Sequence, residues 1–251
     1  MNSVNPIKPR DVDFSKISFS TPRALGSSGA KMLYLNYDNG PLEIQLPDMR
    51  VGWDVKFWPA GDDPSSGKYQ VSLKFDKTDD TKQNEMHEFL DKLDKCLLEA
   101  CYENRIPWLK KPSITKEGVK LLYTPLVKRS INKETGEVDG KWPDEFRIKL
   151  AKRDGVSQFK LFDENKVEIN QTEEGFELSE LIMKGTNLKG LVRCNGVWCG
   201  AAGFGCTWKG TQLKLKTPPK VKAYSFEDTD DSEEDGEKSD SSDSDNDSDS
   251  E

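Results

Sequence analysis

"KYQVSLKFDKTDDTKQNEMHEFLDKLDKCLLEACYEN", Lys68–Asn104, changes its period midway, and that change sets the fold class. In its first eight residues apolar and polar side chains alternate. Tyr69, Val71, Leu73 and Phe75 share one face, and Lys68, Gln70, Ser72 and Lys74 share the other. Period two is the mark of a half-buried strand. From Asp80 the period lengthens. Met86, Phe89, Leu90, Leu93, Leu97, Ala100 and Cys101 recur three and four apart and make one apolar stripe. The spacing predicts a helix over Asp80–Asn104. Asp80 followed by Gln83 resembles a capping pair at its start, and Pro107 is expected to stop the pattern just beyond its end.

Outward from this stretch nearly everything reads as strand and turn. "VGWDVKFW" (Val51–Trp58) places Val51, Trp53, Val55 and Phe57 together and leaves Lys56 beside Trp58. "FRIKLAKR" (Phe146–Arg153) buries Phe146, Ile148 and Leu150 and turns Arg147, Lys149 and Arg153 outward. "LKGLVRCNGVWCG" carries Asn195-Gly196 between two apolar runs, a strong hairpin signal that sets Trp198 next to a turn. "KETGEVDGK" and "RDGV" mark further turns, and Phe204–Lys216 reads as a last strand pair or one bent strand. Many short antiparallel strands with one inserted helix make a small β-barrel or sandwich the natural architecture.

The charge divides along the chain. Of 251 residues with net charge −8, the run Glu227–Glu251 holds fourteen Asp or Glu and one Lys, so −13; the rest carries +5. That run has no apolar residue to offset the entropy of ordering its backbone, so a disordered acidic tail is expected over 226–251, after a folded domain over 1–225. No stretch approaches the eighteen apolar residues of a membrane span and the N-terminus lacks a signal-peptide core, so no membrane partner and an intracellular location are expected. Five cysteines, Cys96, Cys101, Cys194, Cys199 and Cys206, fit reduced and mostly buried thiols.

Residues for chemistry are scarce. The one histidine, His87, lies off the helix stripe and reads as solvent-facing, with no nucleophile–base pair to be built around it. Cys194, Cys199 and Cys206 lack the paired spacing and the histidines of a zinc site. "GSSGAK" (Gly26–Lys31) and "GAAGFG" (Gly200–Gly205) lack the spacing and the following helix of phosphate loops, and the second reads as a hairpin tip. No enzyme, no cofactor and no metal are expected.

What recurs is basic side chains beside aromatics on strand faces. Single-strand binders hold phosphates with Lys and Arg and stack bases on rings without regard to sequence. The candidates are Lys56, Trp58, Lys74, Arg147, Lys149, Arg153, Lys189, Arg193, Trp198 and Lys209. For each, the bland alternative is a charged solvent face, or for Trp198 a core position; the recurrence across strands favours a groove.

The order of features resembles a known family. A "KYQVSLKF" strand, a helix ending "CLLEACYE", then "FRIKL", then "GTNLKGLVRCNGVWCGAAGFGCTWKGTQLKLK" and a detached acidic run resemble the single-stranded-DNA-binding proteins of short-tailed lytic phages, and relatives in large nucleocytoplasmic DNA viruses of the African swine fever virus type. The resemblance covers most of Lys68–Lys216 plus the tail. It implies an OB-fold: a five-stranded antiparallel barrel, here with extra strands and one long helix, that binds single-stranded DNA in replication, recombination or repair. It implies that the tail competes with DNA for the groove and recruits replication proteins such as polymerase and helicase-primase. Tail positions for such docking are Tyr224, Phe226, Asp228, Asp231, Glu234, Asp245 and Glu251. The phage tails finish in an aromatic residue, whereas this sequence finishes in Glu251, and Tyr224 and Phe226 are the nearest rings. The implied setting is the host cytoplasm or nucleus, with packaging in the virion and a homodimer as further options. Ser232, Ser242, Ser244 and Ser248 each precede an acidic residue by three and suit acidophilic kinases. The alternatives are a histone-chaperone-like binder of basic proteins and an RNA-binding OB module.

Overall fold

The computed structural model describes residues 6–26, 29–173 and 175–216. The tail positions Tyr224, Phe226, Asp228, Asp231, Glu234, Asp245 and Glu251, the tail serines, and the boundary at 225/226 lie outside them.

The chain is mainly β. Six strands and a helix organise it: β1 (Glu43–Val51), β2 (Lys56–Ala60), β3 (Asp63–Lys74), α1 (Thr81–Glu103), β4 (Glu145–Arg153), β5 (Asn187–Gly200) and β6 (Gly203–Lys216). β3 pairs antiparallel with β4 from Lys74↔Glu145 to Gly67↔Lys152, and β5 with β6 from Asn187↔Lys216 to Gly200↔Gly203. β1 joins β5 along Arg50↔Asn187 to Glu43↔Arg193. Two short joints complete the circuit: β1 to β3 at Arg50↔Lys74 and Val51↔Leu73, and β4 to β6, parallel, at Ile148↔Trp208 and Lys149↔Lys209. The pairing β1–β3–β4–β6–β5 thus returns to β1.

The alternation read in the sequence places the core inside. Val71, Leu73, Phe146, Ile148, Leu150, Val192 and Leu213 are buried together with the α1 residues Met86, Phe89, Leu90, Leu93, Leu97 and Cys101. Trp208 joins the layers, edge-on to Phe89 of α1 and to Phe146 of β4 at 6.1 Å each. Asp80 caps α1 by accepting from the backbone N–H groups of Lys82 and Gln83 at 2.9 and 3.2 Å. Gln83 does not reach back to close a capping box; its amide donates to the Asp48 carbonyl at 2.8 Å. Pro107 does not end helical structure either, because a second short helix, Arg105–Leu109, contains it.

Three local readings are corrected. Val51–Trp58 is not one strand. β1 ends at Val51, and the chain bulges over Gly52–Val55 before β2 resumes on the same edge of β3 at Lys56↔Gln70. Val55 stays buried, but Trp53 rides the bulge outward at 59% exposure and donates its indole N–H to Glu145 at 2.8 Å. Asn195-Gly196 is not a hairpin turn. It lies inside β5 as a β-bulge between Cys194↔Trp208 and Gly196↔Thr207, and the turn comes at Ala201–Ala202. Gly196 has φ +127°, and a Cβ there would stand 2.7 Å from the Leu33 carbonyl oxygen, so the bulge needs glycine. His87 is not solvent-facing. Its ring lies edge-on to Phe75 at 4.9 Å, with Nε2 2.8 Å from Asp144 and Nδ1 3.4 Å from Asp91.

Candidate nucleic-acid interface

Residues opposite one another in a ladder point to the same face. The registers Lys56↔Gln70, Gln70↔Lys149, Lys149↔Lys209, Lys209↔Arg193 and Arg193↔Glu43 therefore form one row that crosses β2, β3, β4, β6, β5 and β1 on the outer face. Trp58 lies one row away, opposite Lys68. Arg193 and Trp198, five residues apart, would face opposite ways on a regular strand. The bulge at Asn195 inserts the one residue that brings Trp198 back to the Arg193 face. Its ring lies over Gly205, where a Cβ would come within 3.1 Å of it.

Over part of this face passes the segment 124–142. Between segment and strands is a cleft of about 1410 Å³. Arg147, Lys149, Thr207 and Trp198 line it from the strands; Lys128, Arg129, Lys133, Lys141 and Trp142 line it from the segment. Six cations thus meet two anions, Glu134 and Asp139. Thr207 Oγ1 and Trp208 Nε1 belong to lining residues, are buried and have no hydrogen-bond partner. A ligand rich in acceptors would satisfy them.

Helix α1 holds the segment in place. Asp94 accepts from the Tyr123 hydroxyl at 2.5 Å and from the Leu126 N–H at 3.2 Å, and burial pushes its carboxyl up to about 6. One turn earlier, Asp91 takes Arg129 at 2.7 and 2.9 Å, while Arg129 Nε stands 3.6 Å from Asp144. His87, Asp91 and Asp94 lie three to four residues apart and so share one helix face. Beyond Arg129 the segment folds back on itself through the Ile131↔Val138 bridge and the bond from Asn132 N–H to the Glu137 carbonyl at 2.8 Å.

Of the sequence-predicted residues, Arg147, Lys149 and Trp198 line the cleft. Arg147 has Glu145 at 3.5 Å. Lys149 is half-buried, and its ammonium is held below the usual lysine range, first by burial and then by the nearby Lys68 charge. Lys209, Lys56 and Trp58 share the face outside the cleft, and Trp58 is exposed. The others are not gathered there. Arg153 sits at the far end of β4, paired with Val156 in a turn, about 13 Å along the strand from Lys149. Lys74 lies 5.3 Å over the Trp53 ring. Lys189 lines a separate cavity of about 280 Å³, with Asp48 at 3.8 Å. Arg193 is paired with buried Glu43 at 3.4 Å. The sequence reading missed Lys128, Arg129, Lys133, Lys141 and Trp142, because the turn signals around "KETGEVDGK" and its insertion-like flank hid the one available cue, Lys141 beside Trp142.

Fold and site together define a mainly β chain with a cationic, tryptophan-bearing cleft on its strand face. No family model matches the chain, and no curated protein matches it. Solved structures do. The single-stranded DNA-binding protein gp2.5 of bacteriophage T7 is 12% identical, with 73% of this chain and 92% of that one covered and a TM-score of 0.43. The single-stranded DNA-binding protein of bacteriophage Enc34, in its complex with single-stranded DNA, is 11% identical over 80% of this chain and 96% of that one, with a TM-score of 0.42.

Proposed function

We propose that this chain binds single-stranded DNA without sequence preference, in the cleft beneath the segment 124–142. The observation that carries the reading is the composition of that cleft: six lining cations, of which Arg129 and Arg147 already have carboxylate neighbours, against two lining anions, with the rings of Trp142 and Trp198 at its surface. Such a site holds a polyanion by its phosphates and offers rings to unpaired bases. Its volume exceeds the roughly 300–1,000 Å³ of a small-molecule pocket, which favours a polymer. Lys149 and Lys209 are neighbours across strands, so two like charges meet on the face, while Arg193 beyond them is paired with Glu43. The ladder that returns to β1 supports reading the five strands as the closed barrel of an OB-fold with α1 packed against it. A kinship with proteins of the African swine fever virus type, and a role in replication, recombination or repair, are part of this proposal and rest on the sequence resemblance.

The acidic run Glu227–Glu251 extends the proposal. Tethered charge of −13 beside a domain of +5 competes for the cationic cleft by local concentration, and DNA displaces it. Freed, it recruits replication proteins; phosphates on Ser232, Ser242, Ser244 or Ser248 would strengthen its hold on the cleft. The same charge favours a second reading, a binder of basic histone-like proteins. Competition with matched single-stranded DNA, duplex DNA and RNA oligonucleotides, and with a basic protein, separates them. The proposal expects the single strand to compete best; a preference for RNA, or binding of the basic protein alone, overturns it.

A further inference from the structure

Two thiols meet under the cleft. Cys194 of β5 and Cys206 of β6 have their sulfurs 3.3 Å apart. Both are buried, at 6% and 9% exposure. Cys194 stands opposite Trp208 and Cys206 opposite Val197, so the pair is diagonal across the Asn195 bulge that orients Trp198. Among the described cysteines only Cys206 lines the cleft; Cys101 and Cys199 are buried elsewhere and Cys96 is half-buried on α1.

We infer that Cys194 and Cys206 form an oxidisable pair that a peroxide reaches through the cleft, and that single-stranded DNA lying in the cleft shields it. The Cys206 thiolate attacks one peroxide oxygen, the O–O bond breaks, and a sulfenic acid and water result. The Cys194 thiolate then attacks the sulfenic sulfur; the S–O bond breaks and hydroxide leaves with a proton as water. Two thiols and one hydrogen peroxide give one disulfide and two waters. The hydrogen bond that the Cys206 thiol shares with Cys194, burial and the nearby Asp94 carboxylate hold that thiol well above the ordinary range, against the pull of the Lys149 charge. The reaction is therefore slow at neutral pH and speeds up as pH rises.

The shielding rests on the proposed function of the cleft; the oxidation does not. The test treats the full chain with hydrogen peroxide, with and without a bound single-stranded oligonucleotide, and maps alkylated peptides by mass spectrometry without reduction. The expected product is one peptide pair joined through Cys194 and Cys206, lighter by two hydrogens and restored by dithiothreitol. Cys194→Ser should leave a trappable sulfenic acid at Cys206. Random pairing among all five cysteines, or oxidation of Cys96 with no Cys194–Cys206 product, overturns the pair. Bound oligonucleotide should slow the joining several-fold. An unchanged rate with binding confirmed by anisotropy overturns the shielding, whereas absent binding in that control overturns the reading of the cleft itself.

Discussion

Lys149 concentrates the physics of the site in one side chain. Burial and the Lys68 charge make its ammonium easier to deprotonate than an ordinary lysine. A phosphate beside it reverses that shift, so the bound form holds its proton more tightly than the free form. Binding should then take up protons between the lowered value and the usual 10.5, and affinity should fall as pH rises through that window. Titration calorimetry in two buffers of different ionisation heat measures the uptake, and Lys149→Met should abolish it. Equal uptake in the variant would place the titrating group elsewhere. Two of the three cleft tryptophans, those that are not fully buried, make a second residue-scale prediction. Trp142 is 65% exposed and Trp198 half-buried over Gly205, so both rings offer a free surface. Replacing either by Ala should cost about 1–3 kcal/mol of single-strand affinity if a base stacks there. A fall in melting temperature with affinity intact would instead make that ring a packing residue.

At the scale of elements, the segment 124–142 owes its position to α1. Asp94 is the buried link, and its folded value of about 6 exceeds the ordinary 3.8. The folded state therefore binds this proton more tightly than the unfolded chain. Its contribution to stability is full below the ordinary value and is lost as pH rises toward 6, a change on the order of 3 kcal/mol. Urea unfolding of wild type and Asp94→Asn across pH 4–7 should show this slope only in the wild type; an equal slope in both would assign it to another group. The helix itself was legible, because its stripe has a clear period and a capping aspartate. The strands flanking Phe146 and Leu73 were legible by alternation. Asn195-Gly196 misled because the glycine needed for a bulge is also the residue that suits a turn, and only pairing across β6 decides between them. The cleft was half legible. Arg147, Lys149 and Trp198 stand on alternating strands, where sequence shows the outward face. Lys128, Lys133 and Trp142 stand on a segment without a period, and carboxylates far away in sequence, Asp91 and Asp94, place it.

At the scale of the whole molecule, charge separation makes a claim that local structure does not. If the acidic run competes with DNA for the cleft, the protein ending at residue 226 must bind single-stranded DNA more tightly than the full chain. The gain should be largest at low salt and shrink as ions screen an attraction whose reach is about 10 Å at 0.1 M. Equal affinities at low salt would leave the run a recruiting element alone. The central claim is that DNA lies in the cleft, and the salt dependence of binding tests it most directly. Anisotropy of one labelled single-stranded oligonucleotide, titrated with full-length wild type and with Lys149→Met over a salt series, yields two slopes. The account predicts steep salt dependence for the wild type and weaker binding for the variant. The variant's slope should be shallower by about 0.7, the share of a single neutralised phosphate. Identical slopes and affinities would contradict it.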